Sequence, residues 1–529
     1  MDCSLPIKLL TSDLKNIDNQ IPLVLHGSDI LGIKAFADMI MVDPIFILVS
    51  VVVISFLVNV FQKQKKSNNF PPGPMPLPII GNMHMINTLK PQKSFTEMSK
   101  KYGPIFTVYL GAQRLVILCG YDTVKDALVN HAEEFAGRPC TAIDSKVSNE
   151  HGILFSNGEN WRVMRKFTMS TLRHYGMGKK DIENKITEEC DCLVQTFRSY
   201  AGKPFNNQTI INAAVANVIV CILLGHRYEY DDPTILKLMK LVNEIIRIME
   251  SRMVRLYNSY PSLVGWLPGS HRTLSKNHIE MQNFLRETFT RKQRELDVNN
   301  QGNLIDAFLA KQQEDKPEST LYFHDINLVK LVGNLFSAGM ETSSTTLRWG
   351  LLLMMKYPEI QKTVQNEIEN VIGSAQPQVE HRKEMPYTDA VIHEIQRFGD
   401  IVPGSLPHAT ATDVTFRGYN LPKGTTVIPL LHSALRDEAY FEKPEEFYPG
   451  HFLDSEGKFK KNEAFIPFSL GKRSCAGKNL AKKELFLFFT TLLQNFTFKA
   501  PTGAKLDLSP AVGLLSSPLP YEICAIPRR

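Results

Sequence analysis

Ten residues near the C-terminus constrain this chain more than any other stretch: Phe468-Ser469-Leu470-Gly471-Lys472-Arg473-Ser474-Cys475-Ala476-Gly477. One cysteine sits between two glycines, downstream of an aromatic and an arginine, and a Leu- and Phe-rich helical stretch from Asn479 to Thr491 follows at once. A metal-bound sulfur is a thiolate, and a thiolate removed from bulk water needs hydrogen-bond donors and positive charge beside it. Gly471 and Gly477 permit backbone angles and close approaches that a Cβ forbids, so amide N–H groups can turn toward the Cys475 sulfur and a flat cofactor can lie against the chain. Arg473 supplies a fixed cation suited to a carboxylate on such a cofactor. The bland alternative, a cysteine acting as a small buried hydrophobe, describes most free cysteines.

The chain has 529 residues, 43% of them hydrophobic, enough for a large core. No low-complexity linker or repeat interrupts it after residue 80, so 81–529 reads as one domain. The eight cysteines lack zinc-type pairing and read as reduced thiols. A formal net charge of +6 is mild, and basic residues are interspersed with acidic ones without an aromatic-basic stripe, so no nucleic-acid partner is expected.

Residues 44–61 hold an uncharged apolar run, Ile45 to Val60, at the lower limit for a membrane-spanning helix. Lys63, Lys65 and Lys66 follow it and Asp38 and Asp43 precede it, which keeps the C-terminal bulk cytoplasmic. Residues 62–80 form a basic, then proline-rich neck, Phe70-Pro71-Pro72-Gly73-Pro74-Met75-Pro76, expected to be stiff and extended. Residues 1–43 carry no readable motif; a lumenal tail and an alternative start at Met39 or Met41 both remain open.

Three further motifs stand upstream of the cysteine. A helical pattern from about Asp325 to Lys356 contains Ala338-Gly339-Met340-Glu341-Thr342-Ser343, where a mid-helix Gly and a Thr that bonds back one turn break local rules as functional sites do. Glu394-Ile395-Gln396-Arg397 puts an acid and a base on one helix face. Trp161-Arg162-Val163-Met164-Arg165 pairs an aromatic with a cation one turn on.

The cysteine run resembles, at all five specified positions, the Phe-x-x-Gly-x-Arg-x-Cys-x-Gly signature of the cytochrome P-450 haem-thiolate monooxygenases. The other motifs follow that family's order over roughly residues 70 to 529. The neck and Glu484-Leu485-Phe486-Leu487-Phe488 resemble the vertebrate family-two microsomal enzymes. The resemblance implies a mainly helical fold with a small β-rich region, haem b lying between the long central helix and the helix after the cysteine loop. It implies Cys475 as the iron ligand, whose thiolate favours O–O cleavage. Thr342 and Glu341 would deliver protons above Ala338 and Gly339. Trp161, Arg165, Arg473 and His408 would meet the haem propionates, with Phe468 and Gly477 against the ring. The Glu-x-x-Arg pair would join a later Pro-x-Arg-Phe segment, here Pro449-Gly450-His451-Phe452, so histidine replaces arginine and the third charge is in question. The implied activity is insertion of one atom of dioxygen into a lipophilic small molecule at the endoplasmic reticulum membrane. Electrons would come from NADPH-cytochrome P-450 reductase, with cytochrome b5 as a second candidate donor, since the chain has no dinucleotide or flavin fingerprint. A haem-thiolate isomerase or dehydratase and a non-catalytic haem sensor are the alternatives. The substrate pocket is expected along 147–155, 249–266, 334–338, 402–406 and 512–516.

Overall fold

The chain divides into two units, residues 1–67 and 68–529. The computed structural model describes residues 50–51 and 69–528 except 88–89, 148–149, 175–179, 250, 295–301, 315 and 512. The expected extension (1–43) lies outside the described residues, as does the anchor (44–61) apart from 50–51. Among the described residues, no helix is long and apolar enough to cross a membrane.

The second unit is mainly helical. Its principal helices are α1 (Pro91–Tyr102), α2 (Gly158–Leu172), α3 (Lys180–Ser199), α4 (Gln208–Leu224), α5 (Pro233–Met249), α6 (Ser270–Arg294), α7 (Asp325–Lys356), α8 (Pro358–Val371), α9 (Pro386–Gly399) and α10 (Lys478–Asn495). Four of them begin with proline, whose fixed φ and missing N–H suit a first turn. The 32-residue α7 is the axle. His324 caps it, its Nδ1 accepting from the Asn327 N–H, and Pro358 forbids its continuation. From Met340 to Met355 nearly every residue of α7 is buried, because helices enclose it: α4 on one side, and α9 and α10 on others. The apolar residues of α4 are not confined to one face, since Ile211 to Val220 is buried throughout.

The β-rich region is small. Strands β1 (Ile105–Leu110) and β2 (Gln113–Leu118) form a hairpin, and a four-stranded sheet runs in the order β1-β2-β7-β4, with β4 (His408–Ala409) and β7 (Thr426–Pro429). β2 pairs with β7 in parallel, the other two pairs being antiparallel. β3 (Phe205–Asn206), β8 (Phe496–Lys499) and β9 (Glu522–Pro527) form a second sheet in the order β3-β9-β8. β5 (Val414–Phe416) and β6 (Tyr419–Leu421) form a hairpin whose turn, Arg417-Gly418, has positive φ at both residues, as the tight primed turn requires.

The proline segment docks along β1. Thr107 donates from its N–H to Pro72 O (2.7 Å) and from its hydroxyl to Pro71 O (2.8 Å), while the Asn82 amide donates to Pro74 O and Met75 O. A Cβ on Gly73 would lie 2.0 Å from Thr107 O, so glycine there permits the contact.

Candidate functional site

The cysteine loop is shaped by one glycine more than by the other. Gly471 has φ +68°, and a Cβ there would lie 1.8 Å from the backbone carbonyl oxygen of Leu128. Its role is packing rather than offering an amide to the sulfur. The Cys475 N–H donates to Phe468 O (3.0 Å), closing the loop, and Gly477 caps α10 at an ordinary negative φ. The sulfur therefore sits at the start of a helix, where backbone N–H groups favour an anion. Burial is the largest influence on the thiol and leaves its pKa above the ordinary value. The N–H of Gly477, then the Arg165 cation, Lys478 and its N–H pull the other way. Cys475 has accessible surface although protein surrounds it, because that surface faces an internal cavity of about 280 Å³.

Three guanidiniums gather on one wall of this cavity: Arg138, Arg165 and Arg473. Arg473 donates from Nε to Ala136 O (2.7 Å) and from Nη2 to Ser156 O (2.7 Å), and stacks 3.8 Å from the Trp161 ring centroid. Arg165 donates to Ser474 O, and Arg138 to the carbonyls of Leu154, Leu406 and Pro407. Carbonyls hold all three, and among the described residues none of them has a carboxylate partner. Burial, and then the neighbouring arginines, lower the pKa of Arg473 to about 8; burial, and then Arg165, lower that of Arg138 to about 9. Arg473 Nη1 and Trp161 Nε1 are buried donors without a partner. Such a cluster calls for an anion, and unsatisfied buried donors are costly. A flat group carrying carboxylates beside a sulfur ligand satisfies both, so the residues fit haem.

His408 is buried behind this wall and is not among the cavity-lining residues. Its Nδ1 donates to Phe135 O (2.7 Å), and burial, with Arg138 next, lowers its pKa to about 3. The Phe135 carbonyl can only accept, so Nδ1 carries a proton and Nε2 is the ring nitrogen left over.

On α7, Ala338, Gly339 and Thr342 line the cavity. The Thr342 hydroxyl donates to Ala338 O (2.7 Å), leaving its lone pairs for the cavity. Gly339 also serves packing, since a Cβ would lie 2.6 Å from Cδ1 of Ile219 on α4. Glu341 is buried but does not line the cavity; Asn212 on α4 donates to it at 3.5 Å. Burial raises its pKa, with Arg348 opposing. Successive helical residues point about 100° apart, so the adjacent acid and alcohol look in different directions.

Elsewhere the lining is mostly apolar. Of the expected pocket segments, 147–155 contributes Ile153 and Leu154, 334–338 contributes Asn334, Leu335 and Ala338, and 402–406 contributes Val402, Ser405 and Leu406. No described residue of 249–266 or 512–516 lines it, whereas Ile219, Ile222 and Leu223 of α4 do. Sequence reasoning missed α4, Arg138 and Glu484. The Gly137-Arg138-Pro139 turn and a lone acid within Leu480–Phe489 were the available signals.

Glu394 and Arg397 are both fully buried, with Arg397 Nε and Nη2 donating to the two carboxylate oxygens at 2.8 and 2.7 Å. The guanidinium also donates to the carbonyls of Leu435, Pro444 and Glu446, locking α9 to the loop before Pro449. The His451 Nε2 accepts from the Lys443 N–H, so Nδ1 carries a proton and donates to Glu394 (3.2 Å). A neutral histidine thus completes the network without a third charge.

A model of the family described as Cytochrome P450 matches residues 71–525. Cytochrome P450 2C23 of Rattus norvegicus is 45% identical over 485 residues, 91% of this chain and 98% of that protein. Cytochrome P450 2C8 of Homo sapiens is 45% identical over 488 residues, 92% of this chain and 100% of that protein. Cytochrome P450 2K1 of Oncorhynchus mykiss is 48% identical over 463 residues, 87% and 92% of the two chains.

Proposed function

The chain belongs to the cytochrome P450 family of haem b monooxygenases, with vertebrate family-two relatives, and from that premise we propose that it oxidises lipophilic small molecules at a membrane with electrons from a separate reductase. The observation that carries this reading is the cavity that gathers Cys475, three carboxylate-free arginines, Thr342 and an apolar wall. Haem bound there supplies dioxygen activation, with a thiolate whose electron density favours O–O cleavage. In this reading Cys475 is the iron ligand, held as thiolate by the helix start and Arg165. Arg138, Arg165, Arg473 and the Trp161 N–H hold the carboxylates and fix the cofactor's orientation. Ala338 and Gly339 keep the space above it open, Phe468 and Gly477 border it, and the Thr342 hydroxyl orients a proton-bearing water. The apolar residues of α4, of 153–154 and of 402–406 exclude bulk water and select a lipid, steroid, fatty acid or foreign compound.

A surface patch supports membrane contact. Leu263 (74% exposed) on the short helix Pro261–Val264 and Trp266 (83%) just after it stand out from the surface, and Tyr260, at the start of that helix, donates to Ile79 O near the end of the neck. Together with the 44–61 run, this suits the endoplasmic reticulum surface. Lys478 and Lys482, on the first turns of α10, offer a basic docking face for an acidic redox partner, such as the reductase or cytochrome b5; Lys472 is already paired with Glu133. The test is turnover of a lipophilic panel with purified reductase, NADPH and isotopically labelled dioxygen. One labelled oxygen atom in the product supports the reading. Peroxide rearrangement without NADPH would favour an isomerase, and no turnover of any kind a sensor.

A further inference from the structure

A second hollow, a surface groove of about 730 Å³, runs along α6 and plays no part in the chemistry described above. Its two ends differ in charge. One end holds Gly265, Arg272, Lys276 and, from the short helix Ala142–Val147, Lys146. Glu287 stands fifteen residues after Arg272 on the same helix, about 22 Å along it. Glu280, the other acid of the groove, is paired with Lys237 of α5 at 3.0 Å. Lys146, Arg272 and Lys276 form no ion pair among the described residues. Arg272 donates from Nη2 to the carbonyls of Gly265 and Trp266, at 3.0 and 2.8 Å, so it is fixed against the segment that carries Trp266. It also stands in the first turn of the 25-residue α6, where unpaired backbone N–H groups add positive potential. Lys146 and Arg272 converge from two elements: after burial, they are the charges that hold the pKa of the His271 ring below its ordinary value, Arg272 first. Like charges gathered without a counter-ion repel one another, and an anion relieves that cost. The neighbouring surface decides which anion. Gly265 lies between Leu263 and Trp266 in the chain, and those side chains are 74% and 83% exposed. An amphiphile with a phosphate at one end and acyl chains at the other meets both the cations and the apolar pair, whereas a free phosphate or an acidic peptide meets the cations alone.

We propose that the basic end of this groove takes the headgroup of an anionic phospholipid, with Lys146, Arg272 and Lys276 as its contacts, while Leu263 and Trp266 enter the acyl chains beside it. The contact selects anionic over zwitterionic lipid, because a choline headgroup brings a positive charge of its own to the three cations. It also fixes which edge of the catalytic unit faces the bilayer, since the cations and the apolar pair meet at Gly265. The proposal rests on the reading of Leu263 and Trp266 as a membrane contact and names the lipid that this contact prefers.

The experiment places the full-length haem-loaded protein in vesicles whose acyl chains carry bromine, a contact quencher of indole fluorescence. Phosphatidylcholine vesicles are compared with vesicles of phosphatidylcholine and phosphatidylserine. Trp161 and Trp349 are buried, so the quenchable emission is that of Trp266, and Trp266→Phe should remove it. Wild type should be quenched more in the anionic vesicles. In Lys146→Gln/Lys276→Gln the ratio of quenched to unquenched Trp266 there should fall roughly 25-fold, two cations at roughly fivefold each. Lys362→Gln/Lys499→Gln, on α8 and β8 outside the groove's lining, should leave the ratio unchanged. Raising the salt concentration should bring wild type in anionic vesicles to its value in neutral ones, a measurement that decides the matter even if the double variant folds poorly. Equal quenching of wild type in the two vesicle types, or an equal loss in both double variants, overturns the headgroup site. Absence of Trp266 quenching in both vesicle types would overturn the membrane contact itself.

Discussion

Gly471→Ala and Gly477→Ala should fail in different ways, although both glycines flank Cys475 closely in the sequence. At Gly471 the new Cβ meets a backbone carbonyl oxygen at 1.8 Å, which cannot rotate aside, and the residue stays at φ +68°. Left-handed geometry costs alanine roughly 1–2 kcal/mol, and overpacking adds roughly 1–3, for roughly 2–5 in all. Against a total stability of about 5–15 kcal/mol, that is severe. At Gly477, φ is negative and the sole atom within 4 Å of a Cβ is the Cys475 sulfur at 3.9 Å. The fold should change by less than about 0.5 kcal/mol, while the methyl stands in the cavity where the cofactor must lie. The assay is urea unfolding of the haem-loaded protein, followed by backbone circular dichroism and by haem absorption together. Gly471→Ala should lower both midpoints. Gly477→Ala should lower the haem midpoint and leave the backbone midpoint in place. Equal backbone losses in the two variants, or none in Gly471→Ala, would refute the reasoning.

Arg138→Leu should weaken haem retention by roughly 10- to 100-fold, the cost of losing a charge-assisted hydrogen bond of roughly 1.5–3 kcal/mol; transfer of haem to a scavenging apoprotein measures it. Thr342→Ala should let NADPH consumption continue while peroxide rises and product falls, as read by oxygen and peroxide balance. Because the folded Glu484 pKa is raised to about 7 from 4.5, the group costs stability as pH rises from the unfolded pKa, and the full cost is present above the folded one. Glu484→Gln should therefore gain up to roughly 3 kcal/mol on wild type at pH 8 and nothing of this kind at pH 4, as read from denaturant midpoints.

How much of this was legible depended on whether the chemistry lay within one stretch of chain. The cysteine loop, the Trp161/Arg165 pair and Glu394/Arg397 each lie within a few residues, which is why the sequence singled them out, although not the packing role of Gly471. Glu341 and Thr342 are adjacent too, but adjacency on a helix separates directions, which is why the acid expected at the cavity points at Asn212. Arg138 is brought to the site by bonds to Leu406 and Pro407, far along the chain, and Glu484 by Ser343, 141 residues away. Neither pairing leaves a periodic trace. Histidine at position 451 brings no third charge, and only the Lys443 N–H, eight residues upstream, fixes which nitrogen carries the proton that bonds Glu394.

The account stands most directly on Cys475 as the sulfur ligand, and the carbon-monoxide difference spectrum of the reduced full-length protein tests it. Wild type should give the red-shifted thiolate-type band, and Cys475→Ala should lose that band while Cys119→Ala and Cys190→Ala, whose thiols face the core, keep it. An unchanged thiolate-type band in Cys475→Ala would contradict the site.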